Sequence, residues 1–400
     1  MLSTHAFEVP FRFPVYFTSG AWRPENRAVR EAICRLEPDR RHRVLVVIDE
    51  QVAVAQPALV GEIHQYFATH HTALQLVREP LLVPGGEAVK NDLIHTLALL
   101  QRVNEDRIDR QSFIAVIGGG AVLDMVSFAA AIAHRGVRIV RFPTTVLAQG
   151  DSGIAVKNSI NLFGKKNFVG TFVPPFAVVN DAEALASLSL RDKIAGVSEA
   201  VKVALLKDAT FYRFLEINAG RISTGDGDLL AKLVRRAAEL HLQHICTTGD
   251  PFELGSARPL DFGHWAAHKL ESMTSFRLRH GEAVAIGMAL DLAYSEICGY
   301  LDRATLERIL RLLEAMGFKL WDDAMLERDA DGRSRLVAGL SEFREHLGGE
   351  LHITLLRGIG DSFEVTEMDE PSVGAAVDFL ERRAARTPEK RVVSLQKSAS

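Results

Sequence analysis

His264, His268 and His280 crowd one stretch of a chain whose three cysteines, Cys34, Cys246 and Cys298, stand far apart. His264 and His268 are four apart in Asp261-Phe-Gly-His-Trp-Ala-Ala-His268, within a predicted helix, so both imidazoles can share one face. His280 opens the next predicted helix, in His280-Gly-Glu-Ala-Val-Ala-Ile-Gly-Met288, and can join them. A catalytic zinc site takes three protein ligands from His, Asp or Glu and keeps one position open. His264 and His280 are the leading pair. The best third ligand is Glu199, on an otherwise apolar face of Gly196-Val-Ser-Glu-Ala-Val-Lys202. From spacing alone, an ion pair from Glu199 to Lys202 one turn on is the commoner arrangement. A core imidazole bonded to a carbonyl is likewise the commoner role for His268. His241 and His244 have no acidic partner at ligand spacing and are read as surface or packing residues.

A second feature points to a nucleotide. Gly118-Gly119-Gly120 follows a predicted strand and precedes a helix that carries Asp124. Glycines there let a backbone approach a pyrophosphate, and the helix N-terminus supplies donors and a positive dipole. A bare glycine triplet serves equally as a tight turn with no ligand. Gly85-Gly86-Glu87-Ala-Val-Lys90 adds another glycine turn with a Glu/Lys pair, and Asp49 ends a strand where a carboxylate can accept ribose hydroxyls. Together these favour a dinucleotide. A metal site and a nucleotide site in one chain suggest redox chemistry at an alcohol carbon.

The elements needed to carry these groups are visible in the apolar pattern. Val44–Ile48, Phe113–Ile117, Arg138–Phe142 and Phe176–Val179 are short β-rich runs stopped by turn or acidic residues, as buried parallel strands are. Helical patterns over Val89–Arg102 and Ala121–His134 lie between them, implying a parallel sheet with helices on both faces. From about Ser189 to Met316 the periodicity is helical, including Ile194–Leu206, Leu229–Cys246 and Ala283–Gly299. Leu351–Leu356 and Ser362–Val365 read as two strands around Gly358-Ile-Gly360, and 386–400 as a frayed tail. The expected fold is a Rossmann-like α/β domain over 1–185 followed by a mostly helical domain over 186–385. A net charge of -4 gives no reason to expect nucleic acid or a membrane surface, and no apolar run nears the ~20 residues that span a bilayer. The dispersed cysteines and the lack of an N-terminal apolar stretch suit a reduced, cytoplasmic protein.

Taken together, the motifs resemble those of the sugar phosphate cyclases, the 3-dehydroquinate synthase-like family, from about Val44 to Val365. They are Gly-Gly-Gly with Asp124, Pro143-Thr144-Thr145, Asp151 with Lys157, Gly-Lys-Lys-Asn at 164–167, Glu199 with Lys202, Phe262-Gly-His with His268, and the His280 segment. The resemblance implies an NAD-binding N-terminal domain, a helical C-terminal domain and an active site between them. It implies Glu199, His264 and His280 as ligands of zinc or a similar divalent ion such as cobalt, with His268 beside them or facing substrate. NAD would fall to Asp49, Glu87, Lys90, Gly118, Gly119, Gly120, Asp124, Thr144 and Thr145. Substrate hydroxyls and phosphate would fall to Asp151, Lys157, Lys166, Asn167 and Lys202. Arg135 matches an arginine that reaches the phosphate from a neighbouring subunit, implying a homodimer. In the implied reaction a reversible hydride transfer acidifies a C–H bond, phosphate leaves, and an aldol step closes a carbocycle with no net redox change.

The chain departs from the synthase where that enzyme receives a carboxylate on a lysine and an arginine. Those positions are Gln243 and Ala257 here, with Arg258 one residue late, and Asp261 replaces an asparagine. Two lost charge-assisted hydrogen bonds weaken binding by ~3–6 kcal/mol, roughly a hundred- to ten-thousand-fold. Asp261 would also repel a carboxylate. These changes resemble the branch that cyclises sedoheptulose 7-phosphate to valiolone-type products. The family's C-terminal phosphate-binding Asp-Lys-Lys corresponds to Phe343-Arg344-Glu345, with Arg344 or His346 as substitutes. The alternatives are 3-dehydroquinate synthase itself and a metal-dependent polyol or glycerol-type dehydrogenase.

Overall fold

The computed structural model describes residues 2–163, 165–255, 259–346 and 348–386. The tail from 387, Ala257, Arg258 and the side chain of His346 lie outside the described residues. The chain divides into two compact units, Met1–Gly255 and Ser256–Ser400.

The first unit is built on a parallel sheet. Its strands are β1 (Val15–Thr18), β2 (His42–Asp49), β3 (Leu74–Leu76), β4 (Leu81–Val83), β5 (Phe113–Gly118), β6 (Arg138–Pro143) and β9 (Ala177–Asp181). Their order is β1-β9-β6-β5-β2-β3, with β4 also pairing β2 beyond the end of β3. Successive side chains of a strand point to opposite faces. Val44, Val46 and Ile48 accordingly join Phe113, Ala115 and Ile117 on one face, under α1 (Ala28–Cys34) and α3 (Leu59–Thr69). Leu45 and Val47 join Ile114 and Val116 on the other, under α4 (Ile94–Glu105) and α5 (Gly120–Ile132). Both faces are covered, which is why these strands read as unbroken apolar runs rather than alternating ones. Each such side chain stabilises the fold by about 1.5–3 kcal/mol on burial.

The expected α/β layer is thus present, with α2 (Glu50–Ala55) directly after β2. Among the elements of this unit that were not foreseen is an antiparallel hairpin, β7 (Lys157–Leu162) and β8 (Lys165–Phe172), between β6 and β9. After β9 come α6 (Leu190–Lys207), α7 (Ala209–Ile222) and α8 (Gly227–Thr247), N-capped by Ser189, Asp208 and Asp226 respectively. These helices belong to the first unit.

The second unit is mostly helical: α9 (His264–Met273), α10 (His280–Ile297), α11 (Arg303–Ala315), α12 (Arg335–His346) and α13 (Glu370–Arg386). The two expected terminal strands form a hairpin, β10 (Ile353–Gly358) and β11 (Asp361–Val365). The three cysteines are free. Among the described residues no helix is long and apolar enough to cross a membrane.

Candidate active site

In the first unit, several of the anticipated groups meet at the carboxyl edge of the sheet, where open α/β sheets bind ligands. Gly118 ends β5 and α5 starts at Gly120. Thr144 N–H donates to the Gly118 carbonyl at 3.0 Å, and Thr145 Oγ1 accepts from Ala148 N–H at 3.1 Å. Asp49, at the end of β2, is buried and accepts from Gln51 N–H at 2.8 Å. Burial raises its carboxyl above the usual range, while the Gln51, Val52 and Gly119 amides pull it down. The space around Asp49 demands glycine: a Cβ on Gly85 would lie 2.3 Å from its Oδ1.

Lys90 organises a second group. It is buried, and its ammonium lies 2.7 Å from Asp124 and 2.6 Å from the Asn167 side-chain oxygen, with Glu87 at 4.0 Å. Ser159 also donates to Asn167 at 2.8 Å, and Asn161 donates to Glu87 at 2.9 Å while accepting from the Asn167 amide. Asn167 holds a left-handed backbone, φ 54°, which asparagine tolerates better than most residues. The network ties the hairpin, with its anticipated substrate groups, to the residues assigned to NAD. Ser159 and Asn161 were not singled out in the sequence, because a polar residue in a short hairpin carries no signal of its own.

A third group gathers around Asp151, in a π-helical turn over Ala148–Ser152. Arg141, fully buried on β6, donates to the carbonyls of Gly153 and Ala155 and so pins the chain just beyond that turn. Burial pushes Arg141 down to about 10. Lys202 lies 3.8 Å from Asp151 and forms the anticipated ion pair with buried Glu199 at 2.5 Å. Gly196 lets α6 come this close: a Cβ there would lie 2.5 Å from Leu147 N. His241 corrects the sequence reading. It is neither a surface nor a mere packing residue, since its Nδ1 lies 3.3 Å from Asp151 Oδ1 with only 14% of the side chain exposed. Burial, chiefly, pushes it down to about 3, with the nearby Lys202 charge adding to the effect. The missed signal was tertiary, because its acid comes from another element.

Other anticipated residues are more exposed to solvent. Lys157 is half exposed and ion-paired with Glu253. Lys166 is half-buried on β8, and Gln243 is exposed on α8. Arg135 is exposed, with φ 64°, in the turn between α5 and the start of β6. That turn lies at the opposite edge of the sheet from the glycine triplet.

In the second unit the imidazoles converge. His264 is the first residue of α9 and His280 the first of α10. Their ring centroids lie 5.5 Å apart, and His268 stands 5.5 Å from His264 and 6.2 Å from His280. Asp261 is half-buried just upstream. The His264 Nδ1 lies 3.1 Å from the Phe262 carbonyl, and the His280 Nδ1 lies 3.2 Å from buried Glu271. Each ring can thus donate Nδ1–H and turn Nε2 outward as a lone pair, the arrangement of metal-ligating histidines. Potential ligand atoms of His268, Glu271 and His280 also lie within 4.8 Å of one another. Asp291, fully buried on α10, accepts from Gly263 N–H at 2.9 Å and from the Trp265 indole at 2.8 Å, clamping both sides of His264. Burial pushes Asp291 up to about 7. Glu271 and Asp291 escaped the sequence reading, since each looks like an ordinary acid on a helix.

Sequence models of the 3-dehydroquinate synthase N-terminal and C-terminal domains match residues 80–195 and 196–331. The chain belongs to the 3-dehydroquinate synthase family. A 3-dehydroquinate synthase of Roseobacter denitrificans is 35% identical over 340 residues, covering 82% of this chain and 86% of that protein. A structure of ValA, the 2-epi-5-epi-valiolone synthase of Streptomyces hygroscopicus subsp. jinggangensis 5008, with NAD+ and Zn2+ bound, has a TM-score of 0.83 at 26% identity. It covers 96% of this chain and 100% of its own. A 2-deoxy-scyllo-inosose synthase complexed with carbaglucose-6-phosphate, NAD+ and Co2+ shares the fold, with a TM-score of 0.74 at 22% identity, covering 91% of this chain and 96% of its own. The sugar phosphate cyclase fold anticipated from the motifs is therefore the fold of this chain.

Proposed function

We propose that this protein is an NAD- and divalent-metal-dependent cyclase. Its substrate in this reading is a seven-carbon ketose phosphate with an uncharged hydroxymethyl end, with sedoheptulose 7-phosphate the first candidate. The observation that carries the substrate choice is the exchange of the family's lysine for the exposed amide of Gln243, together with the acid at Asp261. Neither can neutralise a carboxylate, and each can bond a hydroxyl. The similarity to ValA supports this reading. The relatives named 3-dehydroquinate synthase, at 33–36% identity, favour that enzyme as the second reading.

The residues present fit both bound groups. The Ser152 hydroxyl is buried with no hydrogen-bond partner among the described residues, and lies 2.8 Å from where a Cβ on Gly120 would stand. A polar orphan at the start of α5 suits a pyrophosphate on the helix N-terminus. With Nδ1 of His264 beside the Phe262 carbonyl and Nδ1 of His280 beside Glu271, each ring would bind a metal through Nε2. We assign them and Glu199 to zinc or cobalt, and Asp49, Gly118–Gly120, Asp124, Thr144, Thr145, Glu87 and Lys90 to NAD. When bound, NAD supplies a reversible hydride acceptor, and the metal a Lewis acid worth several kcal/mol to the oxygen it polarises. In this reading Asp151 accepts a substrate hydroxyl, Lys157, Lys166 and Asn167 hold phosphate and hydroxyls, and Lys202 and His268 face the reacting carbons. Arg135 sits at the opposite edge of the sheet from its own glycine triplet, which suits a homodimer in which it serves the neighbouring site.

The test is phosphate release from a panel of sugar phosphates by the NAD- and zinc-loaded protein. Release from sedoheptulose 7-phosphate, and little from 3-deoxy-arabino-heptulosonate 7-phosphate, is expected. The reverse preference would make the chain a 3-dehydroquinate synthase.

A further inference from the structure

Asp291 is a buried acid with no part in the proposed reaction. It lies fully buried on α10, the one charged residue between Glu282 and Glu296, in a stretch that is otherwise apolar from Ala283 to Ala293. An apolar side chain there would hold α9 and α10 together without the cost of desolvating a carboxylate. Both of its oxygens are engaged. Oδ2 accepts from Gly263 N–H at 2.9 Å and Oδ1 from the Trp265 indole at 2.8 Å, so the two residues that flank His264 are bound to one carboxylate. Gly263 is the N-cap of α9 and has no side chain to close the helix end, and a carboxylate from the neighbouring helix lies where a helix N-terminus favours an anion. Asp291 follows His280 by eleven residues, about three helical turns, so the two share a face of α10. Gly287 lies between them on that face, with the Gly263 backbone against it.

We propose that Asp291 is a positioning residue for the metal, which fixes the first turn of α9 to α10 and so sets His264 against His280. The two imidazoles stand on different helices, with ring centroids 5.5 Å apart. A ligand pair divided in this way loses affinity when one helix slides on the other, because ligands must keep their places to within about 0.5 Å. Asp291 acts through Gly263 and Trp265, the neighbours of His264 in the chain. The inference rests on the assignment of His264 and His280 to a divalent metal and is independent of the sugar.

Zinc affinity in competition with a chromogenic chelator, and the visible absorption of the protein loaded with Co2+, test it apart from turnover. Both are measured on the NAD-loaded protein. Asp291→Asn replaces one acceptor by a donor that faces an N–H, and is expected to weaken zinc binding about 10- to 100-fold and to change the Co2+ spectrum. Trp265→Phe keeps the Gly263 bond and is expected to weaken it about 3- to 10-fold. The double variant should lose little more than Asp291→Asn alone, as partners in one interaction do. A purely structural cap predicts another pattern: lower stability to denaturant, with wild-type zinc affinity and an unchanged Co2+ spectrum in the folded protein. That pattern would overturn the proposal, as would additive losses from the two substitutions. Should Asp291→Asn fail to fold, Trp265→Phe decides alone, and wild-type affinity in that variant refutes the clamp. A wild-type protein that takes up no divalent ion would instead refute the metal assignment, and this inference with it.

Discussion

Glu271 does its work through another residue. Its buried carboxylate lies 3.2 Å from His280 Nδ1, one step behind a proposed metal ligand, where it can fix the tautomer and raise the basicity of the ring. Glu271→Ala should therefore weaken metal binding about 10- to 100-fold in competition with a chromogenic chelator. Unchanged affinity would mean that the carboxylate serves only the packing of α9. Glu271 and His241 also mark where sequence reading stops at this scale. The histidine spacings and the Glu199–Lys202 pair were legible because residues three and four apart share a helix face on elements that could be drawn in advance. His241 was misread because its partner, Asp151, lies ninety residues earlier in the chain, on a turn whose course no local pattern dictates. Phe343 illustrates the same limit. It stands where the family has a charged residue, and its ring faces His268 at 6.4 Å.

Helices α9 and α10 can bring their first residues together only because two glycines let them touch. Gly263 takes φ 78°, and a Cβ on Gly287 would stand 2.0 Å from the Gly263 carbonyl oxygen. Backbone, not a flexible side chain, blocks that methyl. Gly287→Ala should cost at least about 1–3 kcal/mol in chemical denaturation, as overpacking does, and should weaken metal binding by shifting His264 against His280. Wild-type stability and metal affinity together would show that the crossing has slack. At this scale much was readable: β2, β5, β6 and β9, and α5, α6, α8 and α10, coincide with apolar runs of the right period. The β7–β8 hairpin was not, since its second strand is largely exposed and its first mixes Lys157, Asn158, Ser159 and Asn161 into an otherwise apolar run. Its place is set by tertiary bonds from Lys90 and Glu87, which propensity cannot report.

In the cyclase proposed for this chain, a dinucleotide stores the hydride and a divalent metal polarises the oxygen of the substrate carbon that gives it up. Such a division requires that no hydride be left behind at the end of a turnover, unlike a polyol dehydrogenase, which accumulates one NADH for each product. The most direct measurement follows inorganic phosphate and NADH absorbance together as the protein turns over sedoheptulose 7-phosphate, first metal-loaded, then stripped with a chelator, then reloaded with zinc. The account predicts steady phosphate release with flat NADH absorbance, loss of release on stripping, and recovery on reloading. Phosphate release that survives removal of the metal, or NADH rising in step with product, would contradict it.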